Sequence, residues 1–364
     1  MSKIKNHRNK EIQKKLNSEW YSLRPILGYA NWAMFFILLG GREAGKSYSV
    51  TNFFVDQFVN KGIPFYWLRL TDRQTEKLLN NNADRLVDPD LRRKYNLDLV
   101  TNGMNVYAVE RGKPEEGHPR GRILKKRLMA RVLSLSTFYT DKGALFDKDF
   151  LNDEKMRYNI AVDEFQREKN ERNTFDILYA LVNQLENIVR STKNRVRVFF
   201  MGNTLEEASD ILCAFKFIPE DFGIFKLKSK RAVMHNIAPT EEYKARRKGS
   251  IADILMPTAS TFTNKIDTDK ALISKKPRKR LTAIIKFSKD KNDWFSLWDG
   301  DVISKWKNHA SKDIYAMRPY LDERYNIEKV KSIFERFDSR NLKFQNLITF
   351  KEFEKNLSLL RPQR

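Results

Sequence analysis

The stretch "MFFILLGGREAGKSYSV", Met34 to Val50, decides how the rest of the chain is read. An apolar run, then a glycine-containing loop, then a helix-competent segment is the pattern of a buried parallel strand feeding a phosphate-binding loop. Gly40, Gly45, Lys46 and Ser47 fit G-x-x-x-x-G-K-[ST]. Glycines let the backbone N–H groups of Gly40, Gly41, Arg42, Glu43, Ala44 and Gly45 close around phosphate at the positive end of the following helix. Lys46 suits the β- and γ-phosphates and Ser47 supplies a hydroxyl to Mg2+, so the ligands implied are ATP and Mg2+.

Outward from the loop the pattern alternates. "GKSYSVTNFFVDQFVN" reads as a helix and "IPFYWLRL" as a second buried strand, with Thr71 or Asp72 capping the helix "RQTEKLLNN". Residues 80–128 carry turn signals, a short strand around "MNVYAV" and a basic stretch, "PRGRILKKRLMAR". Strand-like runs resume with "RVLSLST", "NIAVDEF" and "VRVFFMGN", followed by a helix from Thr204. The helix "TFDILYALVNQLENIVR" has helical spacing at Leu178, Leu181, Val182, Leu185, Ile188 and Val189. The fold class expected is α/β, a mainly parallel sheet covered on both faces.

A catalytic loop needs carboxylates nearby, and "NIAVDEF" supplies them. Asp163, ending a buried strand, would hold Mg2+ and Glu164 would polarise the attacking water. Asn203, at the end of the next strand, is placed to sense the γ-phosphate or orient water, or is a strand-end turn residue. Arg42 lies inside the loop, in reach of phosphate or of a neighbouring molecule. Arg190 ends a helix, where a cation is favourable on dipole grounds alone, or where it could serve a neighbour as an arginine finger.

After about Thr240 the character changes. "TEEYKARRKGSIADILMPTAS" reads as a linker with one short helix, and "KKPRKR" opens a second unit. There "LTAIIKF", "WFSLW" and "DVISKW" read as three antiparallel strands, the last two joined by a "DG" turn. Two helices close the chain, the last opened by Thr349 and Glu352 as a capping box. The boundaries expected are a basic arm and helix over 1–30, a P-loop ATPase domain over 31–240, a linker over 241–270 and a C-terminal domain over 271–364.

Charge narrows the partners. The 364 residues hold 69 basic and 46 acidic side chains, a net charge of +23, which favours a polyanion such as nucleic acid. Residues 1–15 alone carry six basic side chains against one acidic. Cys213 is the only cysteine, which excludes an intramolecular disulfide, and the four histidines are scattered without ligand spacing. The apolar run Trp32 to Gly40 is too short to span a bilayer, so the expectation is a reducing cytoplasm and no membrane.

Together "GGREAGKS", "WLRL", "LSTFYTDKG", "VDEF" and "IVRSTKNRVR" before "GN" resemble the DNA-packaging ATPases of phi-29-like phages. These belong to the additional-strand (ASCE) P-loop superfamily and are distant relatives of large terminases. The resemblance implies Lys46 and Ser47 on phosphate and Mg2+, Asp163 and Glu164 as the Walker B pair, and Arg190 acting in trans, with Arg195 and Arg197 as alternatives. Lys142 falls where the family places a second basic residue acting across the subunit interface. It also implies a homomeric ring (a pentamer in the family) moving double-stranded DNA in the host cytoplasm. The ring would sit on a viral portal or connector, with a structural RNA as a further candidate partner.

The C-terminal domain is then expected to be RNase H-like but without cleavage. A two-metal nuclease needs a carboxylate on its first strand, which "LTAIIKF" lacks, and Asp299 and Asp301 lie in the adjacent turn. Candidate DNA-facing residues are Arg120, Arg122, Lys125, Lys126 and Arg127, with Lys276, Arg278, Lys279 and Arg280 in the second domain. Each run could equally be a solvated face or a portal contact. Two rival readings are a terminase with an active nuclease, opposed by the missing carboxylate, and an ATP switch of little turnover, opposed by Glu164 beside Asp163.

Overall fold

A computed structural model describes residues 20–140, 157–166, 175–189, 196–203, 209–258, 263–264, 272–274, 280–287, 290–306, 316–317 and 327–358. The chain divides into two compact units, Met1–Leu205 with Pro219–Ile266, and Glu206–Ile218 with Asp267–Arg364.

In the first unit the apolar runs become a nine-stranded sheet. The strands are β1 (Phe35–Leu39), β2 (Phe65–Arg69), β3 (Asp98–Asn102), β4 (Asn105–Arg111), β5 (Ile123–Ser134), β6 (Tyr158–Asp163), β7 (Val196–Gly202), β8 (Gly223–Leu227) and β9 (Ala232–Asn236). Their order is β3-β4-β5-β2-β6-β7-β1-β9-β8. From β5 to β9 neighbours are parallel, while β3, β4 and β8 add antiparallel edges. The central strands are buried end to end, which is why they read as unbroken apolar runs.

The helices are α1 (Arg24–Tyr29), α2 (Lys46–Lys61), α3 (Asp72–Ala83, broken at Asn80–Asn82), α4 (Pro89–Tyr95) and α5 (Ile177–Val189). On α2, Phe54 meets Phe65, Trp67 and Phe199 at ring distances of 5.2, 6.3 and 5.3 Å, tying the helix to β2 and β7. Thr71 is the N-cap of α3, and its backbone N–H donates to Gln74 Oε1 at 3.3 Å. On α5 the buried set is Ile177, Ala180, Leu181, Gln184 and Ile188, whereas Val182, expected inside, is 49% exposed.

Two departures from the sequence reading concern this unit. The basic stretch expected outside the strands lies within β5, a 12-residue strand whose first half is exposed and pairs with β4. The stretch after Thr240 holds two short helices in place of one. The sequence-expected helix start at Thr204 lies outside the described residues; α6 (Asp210–Ala214), which belongs to the second unit, follows Ser209, whose side chain caps it. The two helices after Thr240 are α7 (Glu241–Arg247) and α8 (Ile251–Leu255).

The second unit has a five-stranded sheet ordered β13-β10-β11-β12-β14. Its strands are β10 (Leu281–Lys286), β11 (Trp294–Trp298), β12 (Val302–Lys305), β13 (Ala316–Met317) and β14 (Lys343–Phe344). β10, β11 and β12 are antiparallel as expected, with Asp299 and Gly300 in the left-handed conformation a tight hairpin requires. β13 is parallel to β10. Helices α9 (Ile327–Asp338) and α10 (Leu347–Ser358) follow, and Phe353 packs within 5.1–5.5 Å of Phe287, Phe295 and Phe344. The cap of α10 is Asn346, whose Oδ1 accepts from Thr349 N–H, so the expected Thr349 cap moves one turn back. Glu352 pairs instead with Lys305 at 2.7 Å.

Candidate nucleotide site

β1 ends at Leu39 and α2 begins at Lys46, so the loop between them sits at the C-terminal edge of the sheet, as does Asp163 at the end of β6. Gly45 has φ 88°, and a Cβ there would meet the Trp20 ring at 3.1 Å, so both conformation and space call for glycine. A Cβ at Gly40 would meet Ile237 at 3.2 Å and the Lys46 stem at 3.3 Å. Glu43 also adopts a left-handed backbone, φ 64°. Alternating conformations of this kind turn successive N–H groups toward one centre, the geometry of an anion nest.

Lys46 is buried, and its Nζ donates to Gly40 O at 2.7 Å, Gly41 O at 2.8 Å and Asn203 Oδ1 at 3.2 Å. Burial pushes its ammonium down to about 8, against the opposing pull of Asp163 and Glu164. Ser47 Oγ donates to Asp163 Oδ1 at 3.2 Å. Burial raises the Asp163 carboxyl above the usual carboxylate range, and Arg69, Ser47 and Lys46 offset only part of that. A hydroxyl and a carboxylate oxygen brought together at a phosphate loop are the hard oxygen donors that Mg2+ prefers, so these residues fit the ion.

Glu164 follows at φ 51°, its N–H donating to Met201 O at 2.9 Å. A glutamate in the left-handed region stores strain, a feature concentrated at functional sites. Arg69, at the end of β2, pairs with both acids, through Nη2 to Asp163 Oδ2 at 2.7 Å and through Nη1 to Glu164 Oε2. The sequence reading missed Arg69. The signal was there, a guanidinium closing the otherwise apolar "FYWLR", but its meaning depends on β2 lying next to β6.

The loop is braced from outside by residues the motif does not contain. Tyr243 Oη donates to Arg42 O at 2.7 Å, Arg246 Nη2 to Glu43 O at 3.0 Å, and Arg247 Nη1 pairs with Glu43 Oε2 at 3.0 Å. Arg246 also stacks over Trp20 at 3.9 Å, and Tyr21 N–H donates to Ala44 O. The side chains of Arg42 and Glu43 are exposed, whereas Lys46 is buried and Ser47 half-buried.

So the structure gathers Gly40, Gly41, Lys46, Ser47, Asp163, Glu164 and Asn203 in one place. Lys142, Arg190 and Arg195 lie outside the described residues. Arg197 lies in β7 over the Phe53 ring at 5.0 Å. Arg120, Arg122, Lys125, Lys126 and Arg127 share the exposed β4–β5 hairpin, where Arg122 pairs with Glu115, Lys125 with Glu110 at 3.0 Å, and Lys126 covers Tyr107. Arg280, exposed, precedes β10, and Lys276, Arg278 and Lys279 fall outside the described residues.

The strand order carries a further mark. β7 stands between the loop strand β1 and the carboxylate strand β6, which is the additional strand that names the ASCE group. Among solved structures, the bacteriophage Phi-29 viral genome packaging motor assembly matches with a TM-score of 0.61 at 17% identity. That match covers 94% of this chain and 100% of that one. The Phi-28 gp11 DNA packaging motor matches equally at 0.61, with 14% identity, over 94% and 97%. The chain has the fold of the phi29-type packaging motors. No protein-family model and no curated protein matches the sequence. The packaging-motor fold accounts for both units at once, a mainly parallel α/β sheet and a small second sheet. No helix among the described residues is long and apolar enough to cross a membrane.

Proposed function

We propose that this chain is an ATP-driven double-stranded DNA translocase that packages a viral genome into a procapsid. The observation that carries the ATPase part is the convergence of Lys46, Ser47, Asp163, Glu164 and Asn203 at one edge of the sheet. The loop backbone receives the phosphates, and Lys46 exchanges its bonds to Gly40 O and Gly41 O for phosphate oxygens. Ser47 and Asp163 would hold Mg2+, whose chemistry when bound would be to neutralise charge on the phosphates. Glu164 orients and deprotonates the attacking water once its carboxylate leaves Arg69. Asn203 reports the γ-phosphate, since it shares Lys46 with that position.

Packaging rests on the shared fold and the +23 charge. In this reading the chain forms a homomeric ring at a portal, with Arg190 and Lys142 supplied by the neighbouring subunit and Arg42 at the same interface. The β4–β5 hairpin cations and the Arg280 region contact the phosphate backbone without reading bases. The second unit binds DNA or portal and does not cut.

The test is DNA-stimulated ATP hydrolysis. Glu164→Gln is expected to lower turnover by about 10²–10⁴-fold, the usual share of a general base, while nucleotide still binds. Arg190→Ala alone is expected to be inactive too. Mixing the two inactive variants restores turnover if an intact Glu164 of one subunit meets an intact Arg190 of the next. Unimpaired Glu164→Gln refutes the catalytic assignment, and a mixture that stays inactive refutes the trans finger.

A further inference from the structure

At the N-terminal edge of the large sheet, the end opposite Lys46, Arg197 and Arg157 lie close enough for their charges to interact. Arg197 is the second residue of β7 and lies over Phe53. Asn159 is its register partner in β6, so the two side chains leave the same face of the sheet. Arg157 stands two residues before Asn159, and its Nη1 donates to Asn31 O at 2.7 Å. Because β7 stands between β6 and β1, and Asn31 lies just before β1, the Arg157 side chain crosses the start of β7, where Arg197 sits.

Three observations say this cluster is incomplete as it stands. Asn159 is fully buried, and among the described residues neither its Nδ2 nor its Oδ1 has a hydrogen-bond partner. Arg197 Nε is likewise buried and has no hydrogen-bond partner among the described residues. Burial pushes the Arg197 guanidinium down to about 10, with the like charge of Arg157 as the second cause and no carboxylate among the described residues opposing them. A buried amide, an unpaired guanidinium N–H and two adjacent cations are each costly alone, and all are relieved by one multidentate anion.

We propose that Arg197, Arg157 and Asn159 form a binding site for a phosphate-type oxyanion, separate from the nucleotide loop. Two guanidinium groups match the charge of a phosphate, and the Asn159 amide supplies a further N–H from the same face. The buried amide limits the site to a compact group, whether free phosphate or one phosphate of a nucleic-acid backbone. This inference uses the opposite ends of β6 and β7 and does not depend on nucleotide hydrolysis.

The test uses the full chain carrying Lys46→Ala, which removes phosphate binding at the loop, with inorganic phosphate titrated calorimetrically at constant ionic strength. One saturable site is expected to remain. Adding Arg197→Met, which preserves contact with Phe53, is expected to weaken it about tenfold or more, as loss of a charged hydrogen bond does. No saturable site, equal affinity with and without Arg197→Met, or equal displacement by glutamate overturns the proposal.

If Arg197→Met does not fold, hydrogen exchange of the Lys46→Ala chain over residues 157–160 and 196–199 decides. Slowing by phosphate supports the site, and unchanged exchange overturns it. A short DNA duplex then assigns the source. Displacement of phosphate by duplex, with weaker duplex binding in Arg197→Met, makes the ligand a backbone phosphate. Phosphate binding untouched by duplex makes it the free ion.

Discussion

Replacing Arg69 by methionine isolates the ion-pair cluster at the ends of β2 and β6. Methionine keeps much of the aliphatic packing and removes the charge. The Arg69 and Asp163 side chains are 14% and 4% exposed, so their 2.7 Å pair is a buried one. The Glu164 side chain is 44% exposed, so its pair is heavily screened. Leaving a buried charge without its partner costs about 3–5 kcal/mol, whereas a solvated pair contributes about 0–1 kcal/mol. Asp163 has a way to limit the loss, because burial already lifts its carboxyl above the usual range. Without Arg69 it rises further and takes up a proton, which favours the lower end, about 3 kcal/mol. In a unit of this size that is a fall of about 6–12 °C in Tm.

The pH dependence distinguishes this account from simple loss of packing. A carboxyl whose pKa is raised in the fold holds its proton more tightly there than in the unfolded chain. The stability attached to it is therefore complete below the ordinary carboxylate range and is lost as pH rises through the raised value. The deficit of Arg69→Met is expected to be largest at pH 8 and smaller at pH 5, read by thermal unfolding of wild type, Arg69→Met and Glu164→Gln. Glu164→Gln is expected to stay within about 1 kcal/mol of wild type at both. A deficit for Arg69→Met below about 1 kcal/mol, or one equal at the two pH values, would show that Asp163 does not depend on Arg69.

Three further outcomes follow from neighbouring residues. Lys46, pushed down to about 8, is a neutral amine above that pH, so nucleotide affinity is expected to be flat below pH 8 and to fall up to about tenfold per unit above it; affinity unchanged to pH 10 contradicts this. His235 is fully buried beside the Tyr21 hydroxyl, with its imidazole pushed down to about 3. The stability it contributes is complete above its ordinary pKa and falls as pH drops from 6.5, by about 2 kcal/mol at pH 5. Urea unfolding should show that slope in wild type and a flatter one in His235→Asn. Tyr243→Phe removes the donor to Arg42 O and is expected to cost about 1 kcal/mol, measured by the same unfolding.

What was legible in the sequence was what short-range pattern can carry. β1, β6 and β7 are buried on both faces, so each appears as an apolar run; Asp163 and Asn203 stand at run ends and Gly45 and Lys46 at the start of the helix after β1, all at the edge where a parallel sheet gathers its functional groups. β5 was half hidden because its exposed first half carries Lys125, Lys126 and Arg127, and only the cross-strand partner, such as Glu110 opposite Lys125, makes it a strand. The cap of α10 was misplaced because Thr349 and Asn346 both present capping side chains one turn apart. Tyr243 and Arg247 were unreadable as loop braces, since the contacts that define them span about 200 positions of chain.

The inserted strand explains why these particular residues share one chemistry. Were β6 beside β1, Asp163 would lie directly against the loop, with no place for a third group between them. With β7 interposed, Asn203 at its end reaches Lys46 at 3.2 Å, while Ser47 still reaches Asp163 at 3.2 Å from the start of α2. On the far side of β6, β2 brings Arg69 against the same carboxylates. The cluster thus has a cation on each side of its acids, Lys46 on the loop side and Arg69 on the β2 side. Under the proposed function, a phosphate arriving at Lys46 would change the charge on one side only. Any response of Glu164 to nucleotide must therefore be read in its pairing with Arg69, and the Arg69→Met and Glu164→Gln pair of variants is the combination that measures it.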